Sequence, residues 1–364
     1  MGSTVVAGAG GAWLAFEDGL VAAIGRDDAP GGARVVGDVI FAPGFVDIQV
    51  NGIGAVDFGR AGPDEWRDTG RRLLASGVTS YLPTLVSSPR DGYRDALARV
   101  AAAQADAVSA GLPRIEGVHL EGPFLGDAPG AHPPELLGPV DLEWLLALLD
   151  AQPGLVRLVT LAPEADPDLA GTRALVERGV VVSLGHSRCT YEQALAAADA
   201  GATLVTHLFN GMGPLAHRAP GLPGAALDDD RLTPSVIADF VHVHPAMIRL
   251  AALRTPCILV TDAVAVGIDY FGQAVTDRDG AAFLRNGTLA GSTLTMDRAV
   301  RNAGTLVGAG RAVEMATSTP ARAMGIETFA TEGVGGRADV VALDRATLEV
   351  RAVWLAGEAA YAPA

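Results

Sequence analysis

Cysteine is scarce. The 364-residue chain has two, Cys189 and Cys257, too few for a disulfide framework and in keeping with a reducing compartment, for which the cytoplasm is the default expectation. Basic charge is also in deficit: 42 acidic residues face 27 basic ones, a formal net charge of −15. That field repels nucleic acid and anionic membrane surfaces at long range. No stretch reaches the roughly 18 uncharged apolar residues of a membrane span. Met1 to Trp13 lacks the basic leader and continuous apolar segment of a secretory signal. Nucleic-acid and membrane partners are therefore not expected, and an anionic ligand would need specific local cations.

Apolar residues make up 49% and charged residues 19% of the chain, close to the globular norm, so it folds around a core. From about residue 45, short apolar runs alternate with amphipathic stretches, the sequence form of repeated βα units. The runs are Phe45–Val50, Val78–Pro83, Ile115–Leu120, Leu155–Leu161, Val180–Gly185, Ala202–Thr206, Ser235–Asp239 and Cys257–Thr261. Helix-like segments lie between them at Pro63–Ala75, Asp91–Val108, Asp141–Asp150, Pro167–Arg178, Tyr191–Ala200 and Pro245–Leu253. Pro63, Pro167 and Pro245 suit first-turn helical positions, where a missing N–H is harmless. Eight strands close a barrel filled by its own side chains, which predicts an α/β fold of the (β/α)8 TIM type. A doubly wound open sheet is the alternative, but it would not gather the ends of the third, fifth, sixth and eighth runs.

The flanks read differently. Thr4–Ala7, Trp13–Phe16, Leu20–Ile24 and Val35–Phe41 are short β-prone pieces separated by Gly- and Asp-rich turns. After helical stretches at Asp297–Leu306 and Ala312–Thr317, strands return at Asp339–Leu343 and Leu348–Leu355. The expected organisation is a barrel over residues 44–335 and a small β-sandwich domain built from both chain ends, residues 1–43 and 336–364.

Four runs end on residues that can hold a metal or carry a proton: Glu121, His186, His207 and Asp262. A parallel barrel brings the C-terminal ends of its strands to one mouth. Carboxylates and imidazoles meeting there suffice for a hydrolytic metal centre. Each alone has a plain structural reading, as a hydrogen-bonded strand-end His or a helix-capping carboxylate; four at equivalent positions point to an enzyme. The set suits Zn²⁺, although Fe²⁺, Mn²⁺ or Co²⁺ would accept it too. Gln49 and Asn51 are amides and therefore poor transition-metal ligands, so one tightly held ion is expected. Both amides could equally bond neighbouring loops or bridge a water.

Several segments also carry a family resemblance. Pro43–Gly52 (PGFVDIQVNG), Gly117–Phe124 (GVHLEGPF), Ser183–Ser187 (SLGHS), Thr206–Met212 (THLFNGM), Leu259–Ala263 (LVTDA), Ala290–Met296 (AGSTLTM) and Gly336–Asp344 (GRADVVALD) follow one another in family order. The chain resembles the N-acetylglucosamine-6-phosphate deacetylases of the amidohydrolase superfamily. The resemblance implies Glu121, His186 and His207 as metal ligands and Asp262 as the base that takes a proton from water and passes it to the leaving amine. It implies His132, within Gly130–Leu137 (GAHPPELL), as a second electrophile at the oxyanion. Arg218 and His242 become phosphate contacts reaching across a homodimer interface, and Asn210 and Gly211 supply further donors. Read without the family, Arg218 is a solvated loop charge as readily as a ligand contact. His119 reads as a satisfied core histidine.

Three departures from the family pattern bear on the sugar pocket and on His132: Phe240 where glycine is usual, Ala219 where an acidic residue is frequent, and a short Gly126–Gly130 loop without lysine. The expected reaction is metal-dependent removal of acetate from N-acetyl-D-glucosamine 6-phosphate. Alternatives are another N-acetylated amino sugar, whether the galactosamine epimer or an unphosphorylated one, and a metal-free scaffold relative, which should show broken ligands.

Overall fold

Eight parallel strands carry the centre of the molecule in the computed structural model, which describes residues 4–254, 256–270 and 273–363. They are β1 (Phe45–Val50), β2 (Val78–Val86), β3 (Val118–Glu121), β4 (Val156–Leu161), β5 (Val181–Leu184), β6 (Leu204–Val205), β7 (Thr233–Ile237) and β8 (Ile258–Val260). Each pairs in parallel with the next from β1 to β8. The ring closes just past the ends of β1 and β8, where Asp262 N donates to Gln49 O at 2.9 Å and Asn51 N donates to Ala263 O at 2.7 Å. Most strand residues are buried, and every residue of β1 is. A parallel sheet covered by helices outside and packed by its own side chains inside demands this.

Proline at the first helical position starts the helices Pro63–Ala75 and Pro245–Leu253 as expected. Pro167 does not. Leu169 adopts a left-handed φ of 58°, and that helix begins at Ala170. The Asp166 carboxylate accepts from Gly171 N at 3.0 Å and Thr172 N at 2.7 Å, so a side-chain cap sets the start. The third apolar run is broken: Arg114–Ile115 pairs with β2, and β3 follows only after Gly117, whose φ of 141° few other residues would adopt. The seventh strand lies two residues earlier than expected, leaving Asp239 beyond its end. A helix at Gly221–Asp228 was not anticipated.

Both chain ends build antiparallel sheets beside the barrel. Thr4–Ala7, Trp13–Glu17 and Leu20–Gly25 pair in one sheet with Arg34–Val35 in parallel at its edge. Val39–Pro43, Val340–Asp344, Val350–Leu355 and Glu358–Tyr361 form the other. The expected single strand Val35–Phe41 is divided between them, because the chain turns at Gly37 with φ of 106°. Val6, Phe16, Val340 and Trp354 are buried in one cluster that joins the sheets, with the Phe16 and Trp354 rings 6.1 Å apart.

Between β8 and the last helices, four short strands (Asp269–Tyr270, Gln273–Arg278, Ala281–Leu284, Leu289–Ser292) make an antiparallel hairpin sheet at the barrel mouth. No helix among the described residues is long and apolar enough to cross a membrane.

Candidate metal centre and active site

Glu121 is the last residue of β3, and His186, His207 and Asp262 each follow a strand end by two residues. The latter three have positive φ, 49°, 32° and 47°. Such backbone is uncommon for residues other than glycine and gathers at functional sites, where the surrounding fold enforces it. The sharp turn at each strand end holds these side chains in the mouth.

There they converge. Glu121 Oε1 lies 3.0 Å from His186 Nε2 and 2.9 Å from His207 Nε2, and the two imidazole nitrogens are 3.1 Å apart. One ligand atom from each residue fits within 4.8 Å of the others, and all three residues are buried. The Glu121 carboxyl stays well below its usual range: burial pushes it up, but the hydrogen bonds and charges of His186 and His207 outweigh that. His186 Nδ1 lies 3.0 Å from the Ala128 carbonyl, which can only accept, so Nδ1 carries a hydrogen and Nε2 is the nitrogen that faces Glu121. At 3.0 Å from His186 and 2.9 Å from His207 the buried carboxylate needs positive charge beside it, which imidazole protons or a metal ion can supply. The donor set thus fits a divalent metal ion.

Asp262 sits beside this cluster. Its Oδ1 accepts from Asn51 Nδ2 at 2.7 Å and from Gln49 Nε2 at 3.3 Å, and Gln49 Nε2 also reaches Glu121 Oε1 at 3.2 Å. The Gln49 amide therefore bridges the two carboxylates, and Asn51 holds Asp262. Asn51 Oδ1 is buried without a protein partner, an acceptor left over in the site. Burial, then the Glu121 charge, pushes the Asp262 carboxyl up to about 6.

His132 reaches the same place despite the short loop before it. Its Nε2 is 4.0 Å from Glu121 Oε2, its ring meets the His186 ring edge-on at 4.6 Å, and its Nδ1 is 2.9 Å from Ser87 Oγ. Burial holds the imidazole down at about 3, so His132 is neutral, with one ring nitrogen donating and the other accepting. Ser87 was not anticipated from sequence; it follows β2 and touches both His132 and the Glu121 carbonyl.

The cluster opens into a cavity of about 570 Å³, within the usual range for ligand pockets. Asn210, Gly211 and His242 line it. Gly211 has a φ of 58°, and a Cβ there would stand 2.7 Å from His186 Nδ1, so the residue must be glycine for the loop to pass the imidazole. His242 departs from expectation. It lines the cavity of its own chain, where Asp239 clamps it: Oδ2 is 2.6 Å from His242 Nδ1, and Oδ1 accepts from Val241 N and His242 N at 2.9 Å each. The turn that the clamp requires puts Phe240 at φ of 68°, the conformation a glycine would take without strain. Arg218 is exposed on the loop after Gly211 and does not line its own chain's cavity. The hairpin sheet and the residue before it add Ile268, Tyr270, Val275 and Ala290 to the lining, of which only Ala290, the first residue of AGSTLTM, lay in a segment that the sequence singled out.

His119 is fully satisfied in the barrel interior, with Nε2 at 2.8 Å from Thr160 Oγ1 and Nδ1 at 3.2 Å from Thr84 Oγ1. Beneath Asp262, the buried Asp47 carboxylate accepts from Thr261 Oγ1 at 2.6 Å, tying β1 to β8. Cys189 and Cys257 are both free and buried.

Known proteins resemble this chain in sequence and in fold. The chain is 39% identical to the N-acetylglucosamine-6-phosphate deacetylase of Bos taurus over 95% of its own length and 87% of the relative's. It is 37% identical to the N-acetylgalactosamine-6-phosphate deacetylase of Escherichia coli O157:H7, over 95% and 94%. Among solved structures, a mutant N-acetyl-D-glucosamine-6-phosphate deacetylase from Mycobacterium smegmatis in complex with N-acetyl-D-glucosamine-6-phosphate superposes with a TM-score of 0.90 at 34% identity, covering 99% of this chain and 100% of that one. The Pasteurella multocida enzyme gives 0.89 at 30%, with full coverage of both. Residues 40–360 match the amidohydrolase family, a span that holds the barrel, the candidate metal ligands and most of the second terminal sheet, and the chain belongs to that family.

Proposed function

We propose that this chain hydrolyses the acetamide of N-acetyl-D-glucosamine 6-phosphate, releasing acetate and D-glucosamine 6-phosphate. The observation that carries the reading is the meeting of Glu121, His186 and His207 within 4.8 Å, with Asp262 tied to Glu121 through the Gln49 amide. Relatives of 37–39% identity that span 95% of the chain act on this sugar or its galactosamine epimer.

Glu121, His186 and His207 would hold one divalent ion, zinc by ligand type. When bound, such an ion supplies Lewis acidity, lowering the pKa of water and polarising the acyl oxygen. The protein supplies the rest. Asp262 takes a proton from the attacking water and returns it to the sugar nitrogen as the C–N bond breaks. Gln49 and Asn51, donating to Asp262, keep it ionised and aimed. In the tautomer in which His132 Nδ1 accepts the single Ser87 hydroxyl hydrogen, turned from the Glu121 carbonyl, His132 Nε2 carries the hydrogen that faces the developing oxyanion. His242, held by Asp239, and the Asn210–Gly211 backbone form the phosphate end of the cavity. Arg218 completes that end from a second subunit of a homodimer, which accounts for an exposed arginine outside its own cavity. The buried free thiols suit a reducing, cytoplasmic setting.

The galactosamine epimer is the second reading, favoured by the E. coli relative. The test is a steady-state assay of acetate release from both 6-phosphates and from unphosphorylated N-acetylglucosamine, with metal quantified on the same sample. Preferential turnover of the glucosamine 6-phosphate derivative with about one divalent ion per chain is expected. No turnover of any of the three, or turnover by metal-free protein, would refute the proposal.

A further inference from the structure

The cavity does not stop behind the metal ligands. In an eight-strand ring, β2 lies opposite β6, and β3 opposite β7. Asn210, Gly211 and His242 follow β6 and β7 on one side of the mouth. On the far side the lining continues with Leu85 on β2, Tyr93 and Ala96 on the helix Gly92–Ser109, Tyr270 on the hairpin sheet and Ile268 just before it. Tyr93 is fixed there: it is 1% exposed, its hydroxyl accepts from Ser88 N at 3.3 Å, and its ring packs edge-on against Trp144 at 5.3 Å. Ile268, Tyr270 and Ala131, the residue before His132, all pack against the buried Val275, Ala282 and Leu284, so one apolar surface runs from the His132 loop to the hairpin. Arg60 and Arg99, both exposed, also line the cavity.

An amide carbon holds its two substituents pointing apart. If the sugar extends from the metal centre toward His242, the acyl group points toward Leu85, Tyr93 and Ala96. An acetyl group ends in one methyl, and the lobe continues past that point. We infer that this lobe is an acyl subsite and that the enzyme hydrolyses N-acyl amino sugar phosphates with chains longer than acetyl, propionyl and butyryl among them. The inference rests on the deacetylase reading for the sugar's orientation. The reaction is unchanged in its balance: water adds to the acyl carbon, the C–N bond breaks, the amine takes the proton, and the fatty carboxylate leaves in place of acetate.

The experiment compares N-acetyl-, N-propionyl-, N-butyryl- and N-hexanoyl-glucosamine 6-phosphate by rate of amine release. A pocket closed behind the methyl would discriminate against one extra methylene by about 10–200-fold. With the lobe open, kcat/KM for propionyl and butyryl should lie within about tenfold of acetyl; a larger fall for propionyl overturns the inference. Ala96→Phe, which fills the lobe from the helix, and Ile268→Trp, which fills it from the half-buried position before the hairpin, should each lower the butyryl-to-acetyl ratio of kcat/KM at least tenfold. Either variant alone suffices if the other does not fold. A ratio unmoved in a folded, metal-replete variant overturns the assignment. Turnover of acetyl alone refutes the subsite and leaves the deacetylase reading standing, whereas no turnover of any acyl derivative refutes both.

Discussion

Asn51 and Asp262 stand 211 positions apart in the chain, yet the Asn51 amide donates to the Asp262 carboxylate at 2.7 Å, the shortest polar contact that carboxylate makes with the β1 end. The bond favours the ionised form of a carboxyl that burial otherwise pushes toward neutrality. Asn51→Ala removes it. A hydrogen bond to a charged group contributes about 1.5–3 kcal/mol, and about 1.4 kcal/mol corresponds to one pKa unit. The acid limb of kcat/KM should therefore move up by about one pH unit or more. The pH profile of the variant checks this; an unshifted limb would remove Asn51 from control of Asp262.

Asp262 itself should set that limb. Its carboxyl is raised to about 6, by burial first and the Glu121 charge second, and it must be ionised to accept a proton. Below its pKa, activity should fall about tenfold per pH unit, with a midpoint at or below about 6, since a bound cation favours the carboxylate. Asp262→Asn should lose about 10²- to 10⁴-fold in kcat while elemental analysis finds metal content nearly unchanged. Retained turnover would dismiss the general-base role.

Metal removal should be visible without any assay of turnover. An ion bound by the folded protein alone stabilises it by about 4 kcal/mol when present at a thousand times its dissociation constant. Chelation should lower Tm by several degrees, and added Zn²⁺ should restore it. His186→Ala and His207→Ala should lower the metal-to-protein ratio and lose the chelator response. The pH dependence adds a sign. Asp262 and the buried Asp47, pushed up by burial to about 6 and about 7, bind protons more tightly folded than unfolded. Their stabilising effect is full below the unfolded value near 3.8 and is lost as pH rises through 6 to 7. Tm of the metal-free protein should thus decline between pH 5 and 7.5, and less so with the ion bound.

The barrel was legible because its signal is local: apolar runs of strand length alternating with helical stretches need no knowledge of tertiary contacts. Glu121, His186, His207 and Asp262 stood out for the same reason, each at the end of such a run. What stayed hidden depends on contacts distant in sequence or on the detail of turns. Ser87 looks like any serine after a strand until it meets His132, 45 residues on. Asp239 read as the last residue of a strand, and only its place beyond the end of β7 makes it the clamp for His242. Pro167 carried a helix-start signal that the Asp166 side chain overrode. The hairpin strands from Asp269 to Ser292 are two to six residues long, too short to establish an alternation, so the wall they give the cavity could not be anticipated.

Arg218 poses the sharpest quaternary question, because the fold leaves it exposed and off its own chain's cavity lining. If it serves a partner's phosphate end, Arg218→Ala should raise KM for the 6-phosphate sugar at least tenfold and leave KM for the unphosphorylated sugar nearly unchanged, since a guanidinium matches phosphate oxygens in pairs. An arginine acting within its own subunit would give the same split, so complementation is the deciding measurement. In a dimer formed from one Arg218→Ala chain and one Asp262→Asn chain, one site keeps Asp262 from the first chain and receives Arg218 from the second. Mixing the two variants under conditions of subunit exchange should therefore raise activity at low substrate above the sum of the separate variants. If Arg218 acts within its own subunit, every site in the mixture lacks one of the two groups and no gain appears.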